Sequence, residues 1–440
     1  MPILIVAGGI LLLFLLIARF KLNAFLAFII VSLGVGLAQG LSIPDLIDAI
    51  KQGIGDILGS LILILGLGAM LGKLVADSGA AQRITSVLVD RFGKKNVQWA
   101  VVLTGFIVGI PMFYSVGFVI LIPLVFTIAA STGLPLLYVG IPMLASLSVT
   151  HGYLPPHPAP TSIAEMFQAD FGKTLLYGII VAIPAIVVAG PILSRRFKNI
   201  KASPLKEFVN PVLLKDHEMP AMSTSILTAL LPVILIALAA LGGLLLSEGH
   251  WLRDILETLG DPVIAMLLAV LLAIFTLGLS RGRTMEQVMN SLGEGVTGVT
   301  MIFMIIAGSG ALKQVLVASG VSAYIGEVMQ ESSISPLLLG WGLATLIRVC
   351  VGSATVAGLT AAGIMLPLVQ GGGVSPELMV LAIGSGSLML SHVNDSGFWL
   401  FKEYFSLSVK DTLKTWTVME TAVGVMGLVG VLILNQFISL

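Results

Sequence analysis

Thr150-His151-Gly152-Tyr153-Leu154-Pro155-Pro156-His157-Pro158-Ala159-Pro160 interrupts an otherwise apolar segment, and about 240 residues later Ser391-His392-Val393-Asn394-Asp395-Ser396-Gly397 interrupts another. Pro155 and Pro156 have no backbone N–H to donate and push the residues before them out of helix, so free backbone groups stand beside two imidazoles. The second break gathers an acid, an amide, two hydroxyls and an imidazole within seven residues. The echo extends outward from these breaks. Gly53-x-Gly55 recurs as Gly293-x-Gly295, Ser78-Gly79 as Ser319-Gly320, and Thr174-Leu175, which opens a long apolar run, as Thr412-Leu413. Two related halves, each with a polar break in mid-segment, form the sequence pattern of a secondary transporter with its site between the halves.

Composition sets the class. Hydrophobic residues make up 57% of the chain and charged residues 10%, with a mean hydropathy of +1.06, whereas a soluble domain carries roughly 25% charge. The apolar runs 2–18, 22–38, 57–76, 174–194, 224–246, 261–279 and 411–437 are each near the length that crosses a bilayer as helix. No short alternating segments suggest barrel strands. Net charge is zero, which gives no reason to expect a nucleic-acid partner. The single cysteine, Cys350, excludes an intrachain disulfide and a cysteine metal cluster. The run from Ile3 lacks a basic n-region and reads as a retained signal-anchor helix.

Basic residues cluster at Arg19/Lys21, Arg83/Arg91/Lys94/Lys95, Arg195/Arg196/Lys198/Lys201 and Arg281/Arg283, and the positive-inside rule places all four clusters in the cytoplasm. The stretch 97–131, interrupted by Gly109-Ile110-Pro111, is then a hairpin. A broken segment 135–152 and a helix 174–194 complete the half, whose odd number of crossings makes the second half enter inverted. There the plan repeats as 224–246, 261–279, 297–318, a hairpin over 336–370 interrupted by Gly352-Ser353-Ala354-Thr355, a broken segment 377–397 and 411–437. The fold expected is an all-α polytopic membrane protein of two inverted repeats, each with a helical hairpin and a broken helix. Residues 1–200 form the first repeat, 201–222 a cytoplasmic linker and 223–440 the second repeat. Amphipathic stretches near 44–55 and 284–295 read either as interfacial helices or as the polar ends of long tilted helices.

Non-helical backbone at membrane depth persists only where protein buries it or it lines a wet cavity, so the two breaks and the two hairpin tips are the candidate sites. From the first break come Thr150, His151, Gly152 and His157; from the second, His392, Asn394, Asp395 and Ser396. The second tip offers Ser353 and Thr355, and Arg348 before it stands among Leu346, Ile347 and Val349, so it needs an anion or a polar cavity. The first tip, Gly109 to Gly117, offers Tyr114 and Ser115. Asp395 reads as a helix cap as well, and helix starts suit an anion. Lys73 and Asp77 are explained by an i,i+4 ion pair, with Lys313 in a similar place in the repeat. The absence of a Walker A lysine motif argues against ATP-driven transport.

At these motifs the chain resembles the gluconate permease family, gluconate–proton symporters of the ion transporter superfamily. The resemblance is carried by Gly66-Leu67-Gly68-Ala69-Met70-Leu71-Gly72, by Thr150-His151-Gly152 with Leu154-Pro155-Pro156-His157-Pro158, by Gly352-Ser353-Ala354-Thr355-Val356-Ala357, and by Ser391-His392-Val393-Asn394-Asp395 with Gly397-Phe398-Trp399-Leu400-Phe401. It runs over essentially the whole chain. It implies uptake of gluconate or a relative such as idonate, driven by protons, across the bacterial inner membrane. One departure stands out: many relatives resemble Phe-Phe/Tyr-Glu-Val-Gly at the first hairpin, whereas this chain has Phe113-Tyr114-Ser115-Val116-Gly117.

The mechanism expected is symport of an aldonate with protons and no cofactor or metal. Tyr114, Ser115, Arg348, Ser353, Thr355, Asn394, Ser396, Thr150 and Gly152 are the candidate substrate residues, and His151, His157, His392 and Asp395 are the candidates for proton coupling. Histidine titrates near pH ~6.5, which suits an acidic exterior. Rival readings are a permease for another hydroxy-acid or a hydroxylated D-amino acid, a passive channel, and an intramembrane metalloenzyme using His151, His157, His392 and Asp395. The last lacks a His-Glu-x-x-His motif. The sequence leaves the oligomeric state open.

Overall fold

A computed structural model describes residues 2–112, 114–204, 214–247, 249–320, 334–393 and 395–438, and all regular structure among them is helical. The first half runs α1 (Pro2–Phe14), α2 (Ala24–Ala38), α3 (Ile43–Asp77), α4 (Ala80–Phe92), the pair α5 (Val97–Gly109) and α6 (Tyr114–Thr132), α7 (Leu136–Tyr153), α8 (Pro158–Phe167) and α9 (Phe171–Val187). The second half runs α10 (Met222–Leu245), α11 (Trp251–Leu259), α12 (Pro262–Ala273), α13 (Met285–Ala318), the pair α14 (Pro336–Val351) and α15 (Ala354–Gln370), α16 (Pro376–Gly386), α17 (Ser396–Tyr404) and α18 (Val418–Ile438).

Helix starts follow the caps written in the sequence. Ser42 accepts from the Asp45 N–H at the head of α3. Thr284 and Gln287 form a reciprocal capping box on α13, and Asp261 and Ser375 cap α12 and α16 just ahead of a proline. The mirrored glycines Gly79 and Gly320 both take left-handed backbone, with φ of +77° and +72°, after helices α3 and α13.

By length and apolar composition, five helical stretches among the described residues can cross a membrane: Phe171–Phe197, Met222–Gly243, Pro262–Arg281, Met285–Ala318 and Val409–Ile438. The bent pair Ile43–Gly59 and Leu61–Asp77, at 45°, is a sixth if counted as one span. Both amphipathic stretches are continuous with long helices, α3 and α13, the first lying ahead of the 45° bend. A correction concerns 135–152, expected to be broken. It is an uninterrupted helix, α7, and the break follows it at residues 154–157. Pro142 lies seven residues into α7 without stopping it; the prolines at 155 and 156 do stop it. In the second half the break falls inside the expected segment, between Gly386 and Ser396. Helices α4 and α11 were not foreseen, because both are short and neither is apolar enough to stand out from its loop.

Close packing depends on small residues. A methyl group added to Gly53 would meet the Gly310 carbonyl oxygen at 2.2 Å, and one added to Gly295 would meet that of Ala69 at 2.7 Å, so α3 and α13 cross backbone to backbone. Of each Gly-x-Gly pair only one member is in contact; nothing lies within 4 Å of Gly55 or Gly293. In the same way Gly384 of α16 sits against the Gly152 carbonyl, which brings the ends of α7 and α16 together. The segment after α9 is tied to α4: Arg83 bonds Asp216 and the Pro220 carbonyl, and Gln82 bonds Leu214.

Candidate functional site

Both hairpin tips, the last turn of α7 just ahead of the first break, and the second break contribute to one cavity of about 440 Å³. Tyr114 comes from the first tip, His151 from the last turn of α7, Ser353 and Thr355 from the second tip, and Asp395 and Ser396 from the second break. Arg348 enters it from the last turn of α14. The volume falls within the roughly 300–1,000 Å³ typical of small-ligand sites.

The geometry follows from how the tip turns. Gly352, at φ +82°, ends α14 in a left-handed conformation that a side chain would strain. Ser353 then caps α15, accepting from the Val356 N–H at 3.3 Å. The turn leaves the Gly352 carbonyl facing Arg348, which donates to it through Nη1. Through Nη2 the same guanidinium pairs with Asp395. Asp395 is also the cap of α17, accepting from Gly397 N at 3.0 Å with its other oxygen. Ser391 donates to Asp395 and receives the indole N–H of Trp416 at 2.7 Å. The second break is therefore held open by side chains that satisfy its backbone and its charge.

Four buried polar atoms that line or edge this cavity have no hydrogen-bond partner: Tyr114 Oη, His151 Nδ1, Arg348 Nε and Glu420 Oε2. Unsatisfied buried polar groups are costly, so these four residues mark the polar side of the cavity. In a largely apolar wall the polar groups are a guanidinium, a phenol and the hydroxyls of Ser353, Thr355 and Ser396, which can bond a small polar anion, beside the carboxylates of Asp395 and Glu420.

The remaining expected residues lie outside the cavity wall. His157 is buried behind His151, with ring centroids 5.3 Å apart. His392 bonds the Val349 carbonyl at 3.1 Å. Thr150 donates to the Leu147 carbonyl and packs under Gly109, and Gly152 packs against Gly384 and Leu388. The Ser115 side chain and all of Asn394 lie outside the described residues. Three lining residues with hydrogen-bonding side chains were absent from the sequence expectation: Ser148, Trp416 and Glu420. Glu420 had a legible signal, being the single charged residue of α18. Among the described residues no group of three or more histidine, cysteine, aspartate or glutamate side chains could hold a metal.

The profile of the GntP family permeases matches residues 1–438. The chain belongs to this family. It is a multi-pass membrane transporter and not an enzyme. This permease is 55% identical to the high-affinity gluconate transporter of Escherichia coli K12, over all of both chains. It is 52% identical to that organism's Gnt-II system L-idonate transporter over 99% of each, and 44% identical to the gluconate permease of Bacillus subtilis over 99% of each. Among solved structures the fold resembles the YdaH transporter of Alcanivorax borkumensis, with a TM-score of 0.66 at 18% identity, covering 94% of this chain and 97% of that one. It also resembles MtrF of Neisseria gonorrhoeae, at 0.65 and 17%, covering 92% and 93%.

Proposed function

We propose that this permease imports gluconate, or a closely related sugar acid such as idonate, by proton symport across the bacterial inner membrane. The observation that carries the reading is the cavity whose lining gathers Arg348 and Tyr114 with Ser353, Thr355 and Ser396. A carboxylate accepts from the cationic side, where the start of α15 adds the partial positive charge of its dipole. A polyol chain exchanges hydrogen bonds with the hydroxyls. The names of full-length relatives at 52–55% identity point to the same substrates.

Residues 1–200 and 223–440 act as two inverted repeats joined by the linker 201–222, each supplying one hairpin and one broken helix. The support is the matched order of elements and the shared left-handed glycines at 79 and 320. Substrate crosses when the hairpin-bearing parts move as a body against the long helices α3 and α13. His151 and Asp395 line the path and are placed to exchange protons with it, while His157 and His392 act one shell away.

Uptake of labelled gluconate into proteoliposomes tests the reading. An inward proton gradient accelerates uptake, and gluconate or idonate competes better than glycerate or a hydroxylated D-amino acid. Uptake that follows sodium and ignores pH would sink the coupling, and better competition by glycerate would sink the substrate.

A further inference from the structure

Glu420 is the one charged residue in Val418–Ile438, and it is 2% exposed. Its Oε1 accepts a hydrogen bond from the Ser148 hydroxyl. Its Oε2, at the cavity wall, has no partner. A carboxylate at membrane depth is retained only where it is paired or functional, and an unpaired one holds a proton or awaits a cation. Arg348 is not paired with Glu420: its two terminal nitrogens bond the Gly352 carbonyl and Asp395.

Other groups face Glu420 from the helices around it. Tyr114 comes from α6, His151 and Tyr153 from α7, Arg348 from α14, and Asp395 from the turn before α17. Tyr153 is occupied in donating to the Val423 carbonyl. Lys414, on the turn leading into α18, is exposed. The adjoining stretches Leu378–Gly386 of α16, Val181–Val187 of α9 and the turn Val188–Ile192 after it carry no titratable side chain.

With Arg348 and Asp395 offsetting each other, an anion entering this cavity meets an uncompensated carboxylate. One proton on Glu420 removes that conflict. We infer that Glu420 is the positioning and coupling residue whose protonation is linked to binding of the substrate anion. Where many relatives resemble a glutamate at the first hairpin this chain has Ser115, and Glu420 supplies a carboxylate to the cavity. This assignment rests on the proton-symport reading above and names its proton carrier.

The sign is set by linkage: the protonated site binds the anion, so affinity falls as pH rises through the titration of the site, approaching tenfold per pH unit for one linked proton. The test measures labelled-gluconate affinity for the full-length permease between about pH 5.5 and about pH 8.5, together with accumulation in proteoliposomes under an inward proton gradient. Wild type shows the slope. Glu420→Gln flattens it to less than about twofold over that range, whatever its absolute affinity, and accumulation collapses to the no-gradient level. Glu420→Asp keeps a slope with a displaced midpoint. A Glu420→Gln protein that retains slope and accumulation overturns the assignment. Should Glu420→Gln not yield folded protein, an undisplaced profile in Glu420→Asp overturns it. A wild-type protein without a slope overturns proton symport itself, and the carrier with it.

Discussion

Arg348 shows how one side chain ties a hairpin tip to a broken helix. Its two terminal nitrogens reach the Gly352 carbonyl and Asp395, while its Nε stays free at the cavity. At 4% exposure the guanidinium is worth little as a net source of stability, since desolvation offsets most of the attraction, yet removing one partner strands the other. Arg348→Ala is expected to destabilise the protein by about 3 kcal/mol and to abolish uptake. Lysine at this position restores neither property fully, because an ammonium lacks the planar fork that spans both partners. Removing both charges (Arg348→Ala with Asp395→Ala) recovers part of the stability and none of the transport. Thermal unfolding in detergent, run beside uptake, checks both; a double variant less stable than the sum of the singles refutes the pairing argument.

Helix against helix, the deciding contacts are made by glycine backbones. Gly310 on α13 leaves no room for a methyl group, which would stand 2.4 Å from the Gly53 carbonyl. Gly310→Ala therefore forces α3 and α13 apart and costs about 1–3 kcal/mol. Gly298 lies on the same helix with open space around its Cβ position. Gly298→Ala is expected to be neutral or to stabilise by up to about 1 kcal/mol through helix propensity alone. Melting temperatures of the two variants test the claim, and equal effects would show that the crossing is looser than the contacts indicate. At this scale the sequence was partly legible. The Gly-x-Gly recurrence was legible as a sign of duplication, but that one glycine of each pair sits in the crossing of α3 and α13 depends on the rotation of each helix about its axis, and that is set by the partner.

Across the whole molecule, the cavity has two kinds of wall. Ile302 belongs to the long helix α13, and Leu400 to α17 beside the second break; both line the same space. If the breaks and tips move against the long helices, bridging these walls stops the cycle. In a Cys350→Ser background, Ile302→Cys with Leu400→Cys joined by a short reducible cross-linker is expected to halt gluconate uptake, with recovery on reduction and no effect in either single variant. Unimpaired uptake by the cross-linked protein would show that these two walls do not move apart.

Membrane class, two hairpins and two polar breaks were decided by the sequence itself, because each rests on local physics. A run of apolar residues, a proline pair without N–H groups or a Gly-Ser-Ala-Thr tip acts the same way whatever surrounds it. The same locality made Arg348 and Asp395 conspicuous, as charges where charge is expensive. Tertiary structure alone decided that Tyr114, His151, Ser353 and Asp395, spread over some two-thirds of the chain, face one cavity, while Thr150 and Gly152 turn away to pack. It also brought Glu420 to that cavity from a helix whose other residues gave no sign of a site. Which side of a helix meets a cavity depends on the helices packed around it, and a single chain read residue by residue does not contain that information.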